Sequence, residues 1–150
     1  MKASETVKLL YHKDTSKAYA VLRELEALSD EEDSLYPLMG DFLAMLRSDQ
    51  SVIRVRGFRL LCKQARWDSE NRINGEMDRV LAALQDEKPT AVRQMLQSLE
   101  YVVPYKKELA GKIREAALAV DTTAFKDTMR PLIEKDIKRL IEVIDSNSEV

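Results

Sequence analysis

Apolar residues recur three and four positions apart along almost the whole chain, and that spacing suits one kind of regular structure. In "SKAYAVLRELEAL" they are Ala18, Val21, Leu22, Leu25 and Leu28. In "LYPLMGDFLAML" they are Leu35, Leu38, Met39, Phe42, Leu43 and Leu46. Five further stripes follow, led by Val52, Val55 and Phe58, by Ile73 and Met77, by Val92 and Met95, by Leu109 and Ile113, and by Leu132 and Ile133. Each stripe is one face of a 3.6-residue period. No segment alternates apolar and polar as a half-buried strand does. With four Gly and four Pro in 150 residues, the punctuation of β-rich folds is missing too.

The stripes are separated by short runs of turn and cap residues, among them "SDEEDS", "SDQS", "WDSEN", "DEKP" and "DTT". Asp14, Ser51, Ser69 and Asp121 read as N-caps. The expectation is an all-α chain of seven helices, or eight with a short first one over residues 4–12. Tight turns predict antiparallel helix pairs. A chain of 150 residues suits one domain spanning residues 1–150.

The chain also repeats itself. Asp49 is followed seven residues later by Arg56 in "DQSVIRVR", and Asp86 seven residues later by Arg93 in "DEKPTAVR". A Val precedes each Arg, and a large apolar residue, Phe58 or Met95, follows two positions on. The two copies lie 37 residues apart. The same step from Arg93 reaches Arg130, with Leu132 in the Phe58 position and Thr123 where Asp is expected.

This period, with two helices in each and an Asp…Val-Arg element opening the second, resembles HEAT repeats of the armadillo-like class. The resemblance covers residues 14–145. The whole chain is also similar to small bacterial HEAT-like proteins, some filed under an iron–sulfur assembly (SufBD-type) heading. Cluster scaffolds need several Cys or His ligands, and this chain has one of each, Cys62 and His12. The resemblance implies a right-handed α-α superhelix, a solenoid of three to four repeats. Its second helices, near 51–66, 89–103 and 127–145, would line a concave face. It also implies a ladder of charge-assisted hydrogen bonds formed by Arg56, Arg93 and Arg130, with Asp49 and Asp86 as partners.

The segment "SVIRVRGFRLLCKQARW" carries an apolar stripe and five cations together. Arg56, Arg59, Lys63 and Arg66 are spaced by three, four and three residues, so they share a helix face. For Arg59, Lys63 and Arg66 two readings stay open: a solvated face, or a binding patch in the concave groove. Arg93, Gln97, Tyr101 and Lys138 are further candidates for that groove, with Lys135 and Arg139 as extensions of it. Residues 51–100 hold nine basic against seven acidic residues, whereas residues 1–50 hold six against ten. The net charge of −2 argues against a protein that mainly coats nucleic acid.

No catalytic group, metal site or cofactor is expected. Cys62 sits in an apolar stripe, where a buried, inert thiol is the natural reading. His12 lies far along the chain from it. Gly40, Gly57, Gly75 and Gly111 stand singly, so no phosphate loop is present. Gly57 and Gly111 lie within helices, where close helix–helix approach would explain them. The opening "MKASETVKLLYHKD" has no apolar h-region, and a lone cysteine suits a reducing compartment, so a cytoplasmic protein without membrane attachment is expected.

The function expected is a non-enzymatic scaffold or adaptor, a monomer or weak oligomer, that holds an acidic segment of another protein. The alternative is nucleic-acid binding through the same face, which the resemblance suggests through HEAT-like DNA-alkylation-repair proteins.

Overall fold

The computed structural model of the chain describes residues 3–148, and side chains from Glu5 onward. Among these residues the regular structure is eight α-helices with short 3-10 turns and no strand. The helices are α1 (Ala3–Leu10), α2 (Thr15–Glu31), α3 (Met39–Met45), α4 (Ser51–Lys63), α5 (Arg72–Ala82), α6 (Pro89–Leu99), α7 (Ala110–Leu118) and α8 (Arg130–Ser148).

Helix starts follow local chemistry. Asp14 accepts the amides of Ser16 and Lys17 at 3.0 and 3.2 Å and so caps α2. Asp121 takes the Thr123 amide at 3.1 Å, which caps a 3-10 turn over Thr122–Ala124. Pro89 opens α6 and Pro131 lies in the first turn of α8, where the missing N–H costs little. Two caps differ from expectation. Ser51 is the first residue of α4, and Gln50 is the residue before it. At α5 the N-cap position is Asn71, not Ser69, and the capping acceptor is the Asp68 carboxylate, which takes the amides of Arg72 and Ile73 at 3.0 and 2.9 Å. Asp68 can reach them because Asn71, at φ 55°, turns the chain back through the left-handed region. α4 stops at Lys63 and tightens into a 3-10 turn over Gln64–Trp67, so it is shorter than the 51–66 expected.

α2, α4, α6 and α8 pack side by side in a row. α1 packs on α2, α3 on α4 and α7 on α8, and α5 lies against α7. The core runs without a break from Leu10 to Ile144. α4 is its central element. Phe58, Leu60, Leu61 and Cys62 are almost wholly buried, as are Arg56 and Lys63. Burying each large apolar side chain contributes about 1.5–3 kcal/mol.

Gly57 lets α3 and α4 cross closely. A Cβ there would lie 2.5 Å from the Met45 Cβ and 2.8 Å from the Phe42 carbonyl oxygen. Gly111 has no such reason, since nothing lies within 4 Å of a Cβ built on it.

The side-chain hydrogen bonds that join different helices connect residues 31 to 46 apart in sequence, from Arg114–Asp145 to Arg56–Leu10. These bonds tie neighbouring helices together, as Arg59 of α4 does with Glu26 of α2 and Gln94 of α6. Among the described residues no helix is long and apolar enough to cross a membrane.

Candidate functional site

The five cations of the α4 segment all have partners. Arg54 pairs with Asp86 at 2.8 Å. Arg56 donates from Nη1 to the Leu10 carbonyl at 2.8 Å and so closes the end of α1. Arg59 grips Glu26 of α2 with Nε and Nη2, at 3.0 and 2.7 Å, and donates from Nη1 to Gln94 of α6 at 2.9 Å. Lys63 pairs with Asp30 at 3.0 Å, and its ammonium sits 3.7 Å from the centre of the Tyr101 ring. Arg66 lies 4.0 Å from Asp30 and over the rings of Trp67 and Tyr105. The segment carries apolar residues and cations together because it is the middle of the stack. Its apolar side chains fill the core, and its cations reach to the helices on either side.

The expected ladder therefore has a different register. Asp86 is taken by Arg54, not Arg93, and Asp86 Oδ1 also caps the Lys88 amide. Asp49 makes no ion pair or hydrogen bond among the described residues. Arg93 turns to Asp136 of α8, at 2.7 Å from Nε, and Gln97 reaches the same carboxylate at 3.3 Å. Arg130 folds back on Asp127, three residues earlier, at 3.3 Å. Sequence spacing puts an Arg on a face, but helix packing decides which carboxylate stands opposite that face.

A groove of about 1040 Å³ crosses the row α2–α4–α6–α8. Tyr19, Arg23, Glu26 and Asp30 form one wall, Arg59 and Lys63 the floor, and Gln94, Gln97 and Tyr101 the floor and far wall, with Arg139 and Val143 beyond. Four cations (Arg23, Arg59, Lys63, Arg139) meet three carboxylates (Glu26, Asp30, Glu100) within it. Tyr19 and Tyr101 are 47% and 48% exposed, which is high for residues this large and aromatic. Arg59, Lys63, Gln97 and Tyr101 all line this groove. Arg66 and Arg93 stand outside the groove's lining. Lys138 does not line it: it borders a separate depression with Leu118, Ile137 and Ile141, and Arg139 takes its place in the groove.

The α2 wall was not legible from the basic stripe alone. Its signal is nonetheless present in the sequence. Tyr19, Arg23, Glu26 and Asp30 are spaced by four, three and four, a polar face opposite Ala18, Leu22 and Leu25. Glu26 and Asp30 each lie 33 residues before their partners Arg59 and Lys63. Matched spacing on two helices side by side gives two ion pairs in register.

The phenol of Tyr19 has a lowered pKa. The hydrogen bond from Arg23 is the main cause, followed by the Arg23 charge, with a smaller contribution from Arg59. Arg23 itself makes no ion pair among the described residues. It donates to the Tyr19 hydroxyl at 3.3 Å.

A second polar cluster lies inside the fold. Lys106, whose side chain is 4% exposed, pairs with Asp68 at 3.1 Å and donates to the Asn71 side chain at 2.8 Å. The Tyr36 hydroxyl donates to Asp68, and burial, followed by that contact, pushes the phenol up to about 12. Burial raises the Asp68 carboxyl, but the bonds from Tyr36, Ile73, Lys106 and Arg72 outweigh it and hold the group below the ordinary carboxylate range. The cluster ties three turns together. The Cys62 thiol is wholly buried, and burial drives its pKa up. No set of three or more His, Cys, Asp or Glu side chains among the described residues is arranged to hold a metal ion.

No family model matches this chain, and neither a curated protein nor a solved structure matches it.

Proposed function

We propose that the chain is a HEAT-like array serving as a non-enzymatic, cytoplasmic protein-binding scaffold, and that the groove across α2, α4, α6 and α8 holds an acidic segment of another protein. The observation that carries this is the open groove with two half-exposed tyrosines, Tyr19 and Tyr101, on facing walls. Exposed aromatics over a rigid helical floor are suited to recognising polypeptide. The 37-residue sequence period and the links between neighbouring repeats support the array.

Nucleic acid is the second reading. Alternating aromatic and basic groups, Lys63 on Tyr101 and Arg66 on Trp67, favour it. Glu26, Asp30 and Glu100 oppose it by neutralising Arg59, Lys63 and Arg139, three of the groove's four cations, which leaves no track of free charge for a phosphate backbone.

A photo-crosslinking amino acid placed at Tyr101, and separately at Lys112 on α7, tests the reading in native lysate. A discrete protein adduct at 101 that withstands nuclease and is missing at 112 is the expected result. Identical adducts from both positions, or adducts lost on nuclease treatment, overturn it.

A further inference from the structure

We propose that Arg23, which lines the groove with Tyr19 and Tyr101, is the residue through which the groove reads a carboxylate side chain on the bound segment. This rests on the groove being a protein-binding face and assigns the charge recognition within it.

Arg23 stands out by elimination. Arg59 has its fork filled by Glu26 and Gln94. Lys63 is committed to Asp30 and the face of Tyr101. Arg139 is held by Glu100 at 3.3 Å. Among the described residues Arg23 has no carboxylate within ion-pair distance, and the hydrogen bond its side chain makes goes to a neutral hydroxyl, that of Tyr19. Its guanidinium lies 6.0 Å from the Tyr19 ring centre, and the charge of Glu26 acts on it. Four of its five N–H groups thus remain for a ligand.

The surroundings choose the anion. Tyr19 accepts its bond from Arg23, so its own hydroxyl hydrogen is free to donate into the groove. A carboxylate can accept the fork of Arg23 and that O–H together. One unpaired cation can seat a single carboxylate, whereas a phosphate backbone needs a track of free cations, and Arg59, Lys63 and Arg139 are already paired with Glu26, Asp30 and Glu100. The two tyrosine rings offer flat apolar surface to the methylenes of a Glu side chain. One free cation flanked by aromatic surface therefore suits an acidic side chain better than a phosphate backbone.

Fluorescein-labelled hexaglutamate tests this by anisotropy at low salt, with hexalysine and a dT12 oligonucleotide alongside. Saturable binding of hexaglutamate, weakened about tenfold by Arg23→Gln, is expected, as befits the loss of one charged hydrogen-bonded contact. Arg114→Gln, on α7 and outside the groove, is expected to leave it unchanged. Arg23 is exposed and holds no other element, so the melting temperature of Arg23→Gln should match that of wild type. Equal losses in the two variants, or hexalysine binding as tightly as hexaglutamate, overturn the assignment. Tighter binding of dT12 than of hexaglutamate overturns it in favour of nucleic acid. A crosslinked partner at position 101 that is retained by Arg23→Gln keeps the groove reading and removes only Arg23. Absence of any such partner removes the groove reading, while the hexaglutamate titration still decides Arg23 separately.

Discussion

Arg59 and Glu26 form a two-pronged bond across the seam of α2 and α4, with Nε to Oε2 at 3.0 Å and Nη2 to Oε1 at 2.7 Å. Both side chains are mostly shielded, 15% and 12% exposed, so the pair escapes much of the solvent screening that weakens surface ion pairs. A double-mutant cycle with Arg59→Ala and Glu26→Ala, read by urea unfolding, should give a coupling of about 1–2 kcal/mol. Additive losses would show that the pair is decorative. Arg59→Glu should be worse than Arg59→Ala, because it sets two carboxylates face to face.

The two helical glycines should respond in opposite ways. Gly57→Ala forces a methyl group against the Met45 side chain and the Phe42 carbonyl, and should cost about 1–3 kcal/mol through overpacking. Gly111→Ala meets open space in an exposed helix position and should gain about 0.5–1 kcal/mol. Thermal melts of both variants check this. A neutral Gly57→Ala would mean that α3 and α4 can separate without loss.

Asp68 should make stability fall in acid. Its folded-state pKa lies below the unfolded value of about 4. The stabilisation it provides is present above that unfolded value and is lost as pH falls through the folded one. Asp68→Asn leaves Lys106 buried without its counter-charge and should cost about 3 kcal/mol near neutral pH. The gap from wild type should narrow below about pH 4. A gap that stays constant from neutral pH into acid would assign the loss to packing alone.

Arg56 should govern the first helix. Arg56 is 5% exposed, and its guanidinium is the group that meets the Leu10 carbonyl. Arg56→Met strands that carbonyl and should speed amide exchange over residues 5–10 more than exchange in α4 or α6. Uniform acceleration through the chain would show instead that Arg56 acts on the whole core.

The exposed face of α2 was legible in part. Leu22 and Leu25 mark the buried side of that helix by spacing, and both are buried in the structure. The opposite side, Tyr19 to Asp30, reads on its own as a solvated stripe. It becomes a groove wall only because α4 and α6 lie beside it. The same holds for α5: its apolar stripe announced a helix, but its capping acceptor is Asp68, not Ser69. That choice needed Lys106 and Tyr36 to stabilise a buried carboxylate, and both arrive from distant turns.

Periodicity alone determined that this chain is helical and which side of most helices is buried, because the 3.6-residue spacing of Leu, Ile, Val and Met is a local property that any stack of helices must satisfy. It also placed Arg59, Lys63 and Arg66 on one face. Only the tertiary structure decided what those cations do. A charge takes whatever partner the neighbouring helix offers within a few ångströms, and that neighbour lies 31 to 46 residues away. Packing gave Arg59 and Lys63 to Glu26 and Asp30 and left Arg23 without a carboxylate among the described residues.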